Sequence, residues 1–231
     1  LEETVHAATD GFDHFDTVSA TRPMRTFVDD FSTWYVRRSR DRMKSDDATD
    51  KERALATMRY VLREFSKVIA PVMPFIAEEI YREVRTDGEP ESVHLAEWPA
   101  KSGSLFSFMK NVFGSKRDPL LTDMEEVRGI VTVALEARQK AGIKVRQPLS
   151  RLIINSASLM GKKDLLDLIR DELNVKQVVV DQSIEGRVRL DTELTQELIN
   201  EGEYRDLVRE VQDLRKAAGL NPKDQAVLVV D

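Results

Sequence analysis

Phe27-Val28-Asp29-Asp30-Phe31-Ser32-Thr33-Trp34-Tyr35-Val36-Arg37-Arg38-Ser39-Arg40-Asp41-Arg42 is the stretch on which the reading of the fold turns. At about 100° per residue, Phe27, Phe31, Tyr35, Arg38 and Arg42 line one stripe of a helix, with Trp34 beside it. Arg38 and Arg42 thus continue the buried face, their stems packing on the core and their guanidiniums meeting carboxylates such as Glu78 or Glu79. Arg37 and Arg40 point elsewhere on the wheel, which suits phosphate contact or a plain solvated surface. Trp34 suits either the core or stacking on an unpaired base.

Outward from this helix, apolar residues recur at three and four as far as about residue 85, a helical bundle. Helices are expected up to about residue 14 and over 25–44, 50–70 and 74–84, with Pro74 at the first helical position of the last. Residues 86–118 hold Gly88, Pro90, Pro99, Gly103 and Gly114, and read as irregular chain. Within them Leu105, Phe106, Phe108, Met109, Val112 and Phe113 form an apolar cluster, either a pinned helix or a bare contact surface. From residue 120 onward helices alternate with β-branched runs: helices over 120–141, 162–173 and 192–218, strands over 150–155, 175–181, 187–190 and 225–230. The fold class is therefore mainly α, a helical bundle over 1–99, a linker over 100–118 and a smaller α+β domain over 119–231. Arg138-Gln139-Lys140-Ala141-Gly142-Ile143 and Arg215-Lys216-Ala217-Ala218-Gly219-Leu220 read as two copies of one unit, or as two ordinary helix ends. As copies, each leads through a C-cap glycine to a strand, the two strands holding related places in one sheet.

The 231 residues carry 35 Lys and Arg against 41 Asp and Glu, a net charge of −6. With 41% hydrophobic residues and no cysteine, the chain can bury a core but has no disulfide, thiol nucleophile or Cys-based zinc site. His6, His14 and His94 have no metal-ligand spacing. No apolar run approaches the roughly 20 residues that cross a bilayer, and no signal peptide is visible, so a cytoplasmic setting is expected. There is no phosphate loop, nucleophile elbow or metal motif, and Glu78 and Glu79, 100° apart on a helix, are no acid/base couple. The opening Leu1 suggests a piece of something longer.

Phosphate binding depends on local field, and the cations are segregated. Residues 36–44 hold Arg37, Arg38, Arg40, Arg42 and Lys44 against Asp41 alone, and 137–151 hold Arg138, Lys140, Lys144, Arg146 and Arg151 with no acid, whereas 1–20 hold five acids and no Lys or Arg. Past Gly142 an extended run would set Lys144 and Arg146 on one face, suiting a phosphate backbone or a charged strand edge.

The run from Phe27 to Arg42 resembles the second helix of the anticodon-binding domain of isoleucyl-tRNA synthetases. It is followed in order by Ala70-Pro71-Val72-Met73-Pro74-Phe75-Ile76-Ala77-Glu78-Glu79-Ile80-Tyr81 and Ser92-Val93-His94-Leu95-Ala96-Glu97-Trp98-Pro99, similar to motifs of the same family. The valyl and leucyl enzymes share the Pro-Phe-Ile helix and the Trp-Pro ending. Gly142-Ile143-Lys144-Val145-Arg146-Gln147-Pro148-Leu149 and Gln212-Asp213-Leu214-Arg215-Lys216 look like the family's C-terminal junction. Met43 stands where an aromatic is common, and the stretch between Val180 and Arg187 is short for the family. The resemblance implies a part of a class I ligase that uses ATP to join isoleucine to its tRNA. This part would bind the anticodon stem and loop beside the catalytic and editing domains. The ATP-binding signatures are absent, so no catalytic residue and no cofactor, zinc included, is expected here. Arg37, Arg40, Lys144 and Arg146 are first choices for tRNA contact, then Trp34 and Arg138. The alternatives are a helical adaptor that binds protein through the cluster near Phe106, and the anticodon-binding region of a related valyl or leucyl synthetase.

Overall fold

Asp16 sets where the basic helix begins. Its carboxylate accepts the Ser19 N–H at 3.0 Å and the Ser19 hydroxyl at 2.6 Å, a cap worth about 1 kcal/mol that opens α2 (Thr17–Asp30). The helix expected from Arg25 therefore starts earlier, and Pro23 lies inside it at the cost of one backbone hydrogen bond. Phe31–Val36 then widens into a π-helical turn before the chain resumes as α3 (Arg37–Lys44). Two hydroxyls support the widening: Ser32 Oγ donates to the Val28 carbonyl at 2.7 Å and Thr33 Oγ1 to that of Asp29 at 2.6 Å. Each competes for a carbonyl that a regular turn would use.

The computed structural model describes residues 1–99, 118–221 and 224–227. They fall into two compact units, Leu1–Ser115 and Lys116–Asp231. The apolar cluster at 105–113 and the expected linker up to residue 117 lie outside the described residues.

In the first unit α1 (Glu2–Asp13) crosses α2 at Gly11, where a Cβ would stand 2.5 Å from the Ala20 nitrogen. Only glycine allows that approach. After α3, Asp47 caps α4 (Ala48–Ile69) by accepting from the Thr49 and Asp50 N–H groups, and Pro74 opens α5 (Pro74–Val84) as expected. The core gathers Val5, Ala8, Met24, Phe65, Val68, Ile69, Ala77, Tyr81 and Val93. Trp98 closes it, its indole N–H donating to Thr9 Oγ1 at 2.9 Å and its ring meeting Phe12 edge-on.

The second unit runs α6 (Pro119–Lys140), β1 (Leu149–Ile154), α7 (Lys163–Leu173), β2 (Val175–Val180), β3 (Val188–Leu190) and α8 (Gln196–Ala217). The sheet order is β2-β1-β3, with β1 parallel to β2 (Leu152 opposite Val178) and antiparallel to β3 (Leu152 opposite Leu190). α6 packs on α7 and β3, burying Val127, Ile130, Val131 and Ala134. The molecule is mainly helical with a small mixed sheet, as the sequence pattern indicates. The fourth expected strand is not formed over 225–227, which join neither edge of the sheet; 228–230 lie outside the described residues. No described helix is long and apolar enough to cross a membrane.

Candidate nucleic-acid interface

The π-helical turn decides which way the arginines of α3 point. Phe27 stacks on Phe31 at 5.6 Å and Phe31 on Tyr35 at 5.3 Å, and Phe27 also meets Phe65 of α4 at 4.7 Å. A turn with i→i+5 bonds takes up an extra residue, so the stripe continues at steps of four to Ser39, which is buried, and Met43, which is half-buried. Arg38 and Arg42, both expected on the buried stripe, are instead exposed. Arg42 does anchor the helix, its Nη2 and Nε reaching the Asp50 carboxylate at 2.6 and 3.0 Å, and so holds that carboxyl below its usual pKa. Its acid is Asp50 on the first turn of α4, not Glu78 or Glu79. Glu78 is engaged elsewhere, accepting the Val93 N–H and the Ser92 hydroxyl, each at 2.9 Å.

Arg37, Arg38 and Arg40 are therefore all exposed on α3, beside a half-buried Trp34. Arg37 Nε donates to the Thr33 carbonyl at 2.8 Å, which fixes its stem along the π-helical turn. Five of the eight residues of α3 are cations and one is an acid. A flexible polyanion could lie along this helix with guanidiniums on its phosphates and an indole within reach of an unstacked base.

The second basic island is organised differently. Gly142 ends α6 with φ +69° as expected, but the following residues turn instead of extending, Gln147 N–H donating to the Lys144 carbonyl at 3.0 Å. The turn forms because Arg138 collects the carbonyls around it. Arg138 Nη2 donates to Gln147 at 2.9 Å, to Leu173 at 2.7 Å and to Asn174 at 3.3 Å, and Nη1 to Lys144 at 3.3 Å. Only 1% of Arg138 is exposed, so it ties α6 to the end of α7 and offers nothing at the surface. Desolvation pulls its pKa below the usual arginine value. Lys144 and Arg146 do share a face, and both turn to Asp206 of α8, Arg146 at 2.8 Å and Lys144 at 3.5 Å. With Arg209, Glu210 and Asp213 they line a shallow groove of three cations and three acids. The Lys144 and Arg146 part of that island, bare of acids in the sequence, thus faces acids of α8 in the fold. The signal lies in the spacing of Asp206, Glu210 and Asp213 along one helical face, four and three residues apart.

Among the described residues no three His, Asp or Glu side chains are placed to hold a metal ion.

A family model described as the anticodon-binding domain of tRNA ligase matches residues 1–153, from α1 through most of β1. The chain belongs to this family. Its relatives include the isoleucine–tRNA ligase of Dehalococcoides mccartyi, 34% identical over 245 residues that cover 97% of this chain and 23% of the relative. That of Chlamydia muridarum is 39% identical over 168 residues, 71% of this chain and 15% of the relative. That of Treponema denticola is 28% identical over 310 residues, 98% of this chain and 27% of the relative. The matched stretches thus span about a quarter or less of the length of these relatives. The family match includes α2, α3 and Arg138 with its turn; α7, β2, β3 and α8, and with them the Leu173 and Asn174 carbonyls that Arg138 holds, lie beyond it.

Proposed function

We propose that this chain is the part of an isoleucine–tRNA ligase that holds the anticodon stem and loop of isoleucine tRNA. The observation that carries the reading is α3, a helix of five cations and one acid in a chain of net charge −6, within an anticodon-binding family. Affinity comes from phosphate contacts by Arg37 and Arg40, with Arg38 beside them, and base contact from Trp34 by stacking. Lys144 and Arg146 contribute only as far as a phosphate competes with Asp206 for them. The ATP-dependent joining of isoleucine to tRNA belongs to the catalytic part of the ligase, and this part supplies orientation.

The test is binding of fluorescent isoleucine tRNA, beside a copy with its anticodon bases replaced, from low to physiological salt. Native tRNA binds tighter, and Arg37→Ala and Arg40→Ala each lower the slope of log affinity against log salt by about 0.7–0.9. Equal binding of both RNAs, with slopes untouched by either substitution, overturns the assignment.

A further inference from the structure

Ordinary α-helical bonding would give the Thr33 carbonyl to the N–H of Arg37, four residues on. In the π-helical turn Phe31–Val36 that N–H is directed to the Trp34 carbonyl instead. The Thr33 carbonyl then takes the side chain of the same residue, Arg37 Nε at 2.8 Å. Side chains serve the entrance of the turn as well. Ser32 Oγ donates to the Val28 carbonyl at 2.7 Å and to that of Asp29 at 3.3 Å, and Thr33 Oγ1 donates to Asp29 at 2.6 Å. The serine, the threonine and the arginine that hold these carbonyls are all exposed.

A single π-helical turn takes up one residue, and here both of its flanks are anchored. Before it, Phe27 packs on Phe65 at 4.7 Å. After it, Ser39 is buried and Arg42 holds Asp50 at 2.6 Å. With the flanks fixed, the extra residue changes the turn itself, giving the Thr33 carbonyl to the guanidinium. An arginine side chain is rich in rotamers and loses that freedom when it binds an anion. Holding Nε on a carbonyl removes part of the freedom in advance and makes the Nη1–Nη2 edge the one that meets a phosphate.

We propose that the π-helical turn pre-orients Arg37 for one phosphate of the RNA, with Ser32 and Thr33 as the positioning residues that hold the turn open, a role that rests on the tRNA-binding reading of α3. Arg40 lies beyond the turn and owes its orientation to α3, so it serves as the control.

Deletion of Ser32 restores regular winding over 33–37 and returns the Thr33 carbonyl to the Arg37 N–H. Fluorescent isoleucine tRNA should then bind about two- to tenfold more weakly, the cost of ordering one long side chain on binding. That loss should vanish in an Arg37→Ala background and persist in an Arg40→Ala background, whereas a general structural defect weakens binding in both. Where the shortened chain does not fold, Ser32→Ala combined with Thr33→Val, at exposed positions, takes its place with the same expectation. In the protein without RNA, nitrogen-15 NMR of the arginine side chains should show an Nε–H, assigned by its absence in Arg37→Ala, that is protected from exchange with water. Either turn variant should abolish the protection. tRNA binding that depends on Arg37 but is indifferent to the turn variants overturns this inference alone. So does an Arg37 Nε–H that exchanges as fast as that of an untethered arginine. Failure of the parent chain to bind tRNA, or binding indifferent to Arg37→Ala and Arg40→Ala alike, overturns the reading of α3 and this inference with it.

Discussion

Arg138 and Lys144 stand six residues apart in one basic run and have opposite fates. The guanidinium of Arg138 spans four carbonyls from two parts of the chain, while 76% of the Lys144 side chain is exposed and its only described ion pair is a 3.5 Å contact with Asp206. A hydrogen bond to a charged group contributes about 1.5–3 kcal/mol, and a buried carbonyl left without its donor costs more again. Arg138→Ala should thus lower unfolding free energy by about 3 kcal/mol or more, and Lys144→Ala should change it by less than about 0.5 kcal/mol. Urea unfolding followed by circular dichroism reads both, and an Arg138→Ala chain as stable as the parent refutes this account of the clamp. Composition and spacing mark both residues as cations near Gly142. They cannot separate them, because a buried arginine is defined by carbonyls that arrive from residues 173 and 174, distant in sequence.

Among the elements, those with strong periodicity and end signals are legible: α4, α5, α6, α7 and the three strands fall within a few residues of their expected places. The π-helical turn is not, since a wheel drawn at a constant 100° has no place for an extra residue. Such a wheel consequently puts Arg38 on the buried stripe where Ser39 lies. Pairings between elements are equally hidden, as with Glu78, whose acceptor role ties α5 to the short 3-10 turn Val93–Leu95. The Val93 N–H, helped by the Ser92 hydroxyl and opposed by desolvation, holds the Glu78 carboxyl below the ordinary value of 4.5. A carboxyl whose folded pKa is depressed contributes stability that is complete above its unfolded pKa and is lost as pH falls through the folded one. The melting temperature should therefore drop on acidification from about pH 5 downward, and Glu78→Gln should flatten that limb while lowering the plateau at neutral pH. Parallel acid limbs for the two proteins mean that Glu78 is not a source of the acid sensitivity.

For the molecule as a whole, charge is distributed against its own total. A polyanion approaching a chain of net charge −6 meets an acidic N-terminal stretch as well as the cations of α3. The two act over different ranges. On the proposed reading, contacts by Arg37 and Arg40 would form at hydrogen-bond distance and their loss would be felt at either salt concentration, whereas Glu2 and Glu3, on the first turn of α1, would act on tRNA only through the long-range field. That field reaches about 30 Å at 10 mM salt and about 8 Å at 150 mM. Replacing Glu2 and Glu3 together by Gln should accordingly raise the tRNA association rate severalfold at about 10 mM salt and leave it unchanged at about 150 mM. Arg37→Ala should weaken binding in both conditions. Stopped-flow association at the two salt concentrations separates the effects. An acceleration that survives at the higher salt would place Glu2 and Glu3 in direct contact with the RNA, and α1 would then join α3 in the interface.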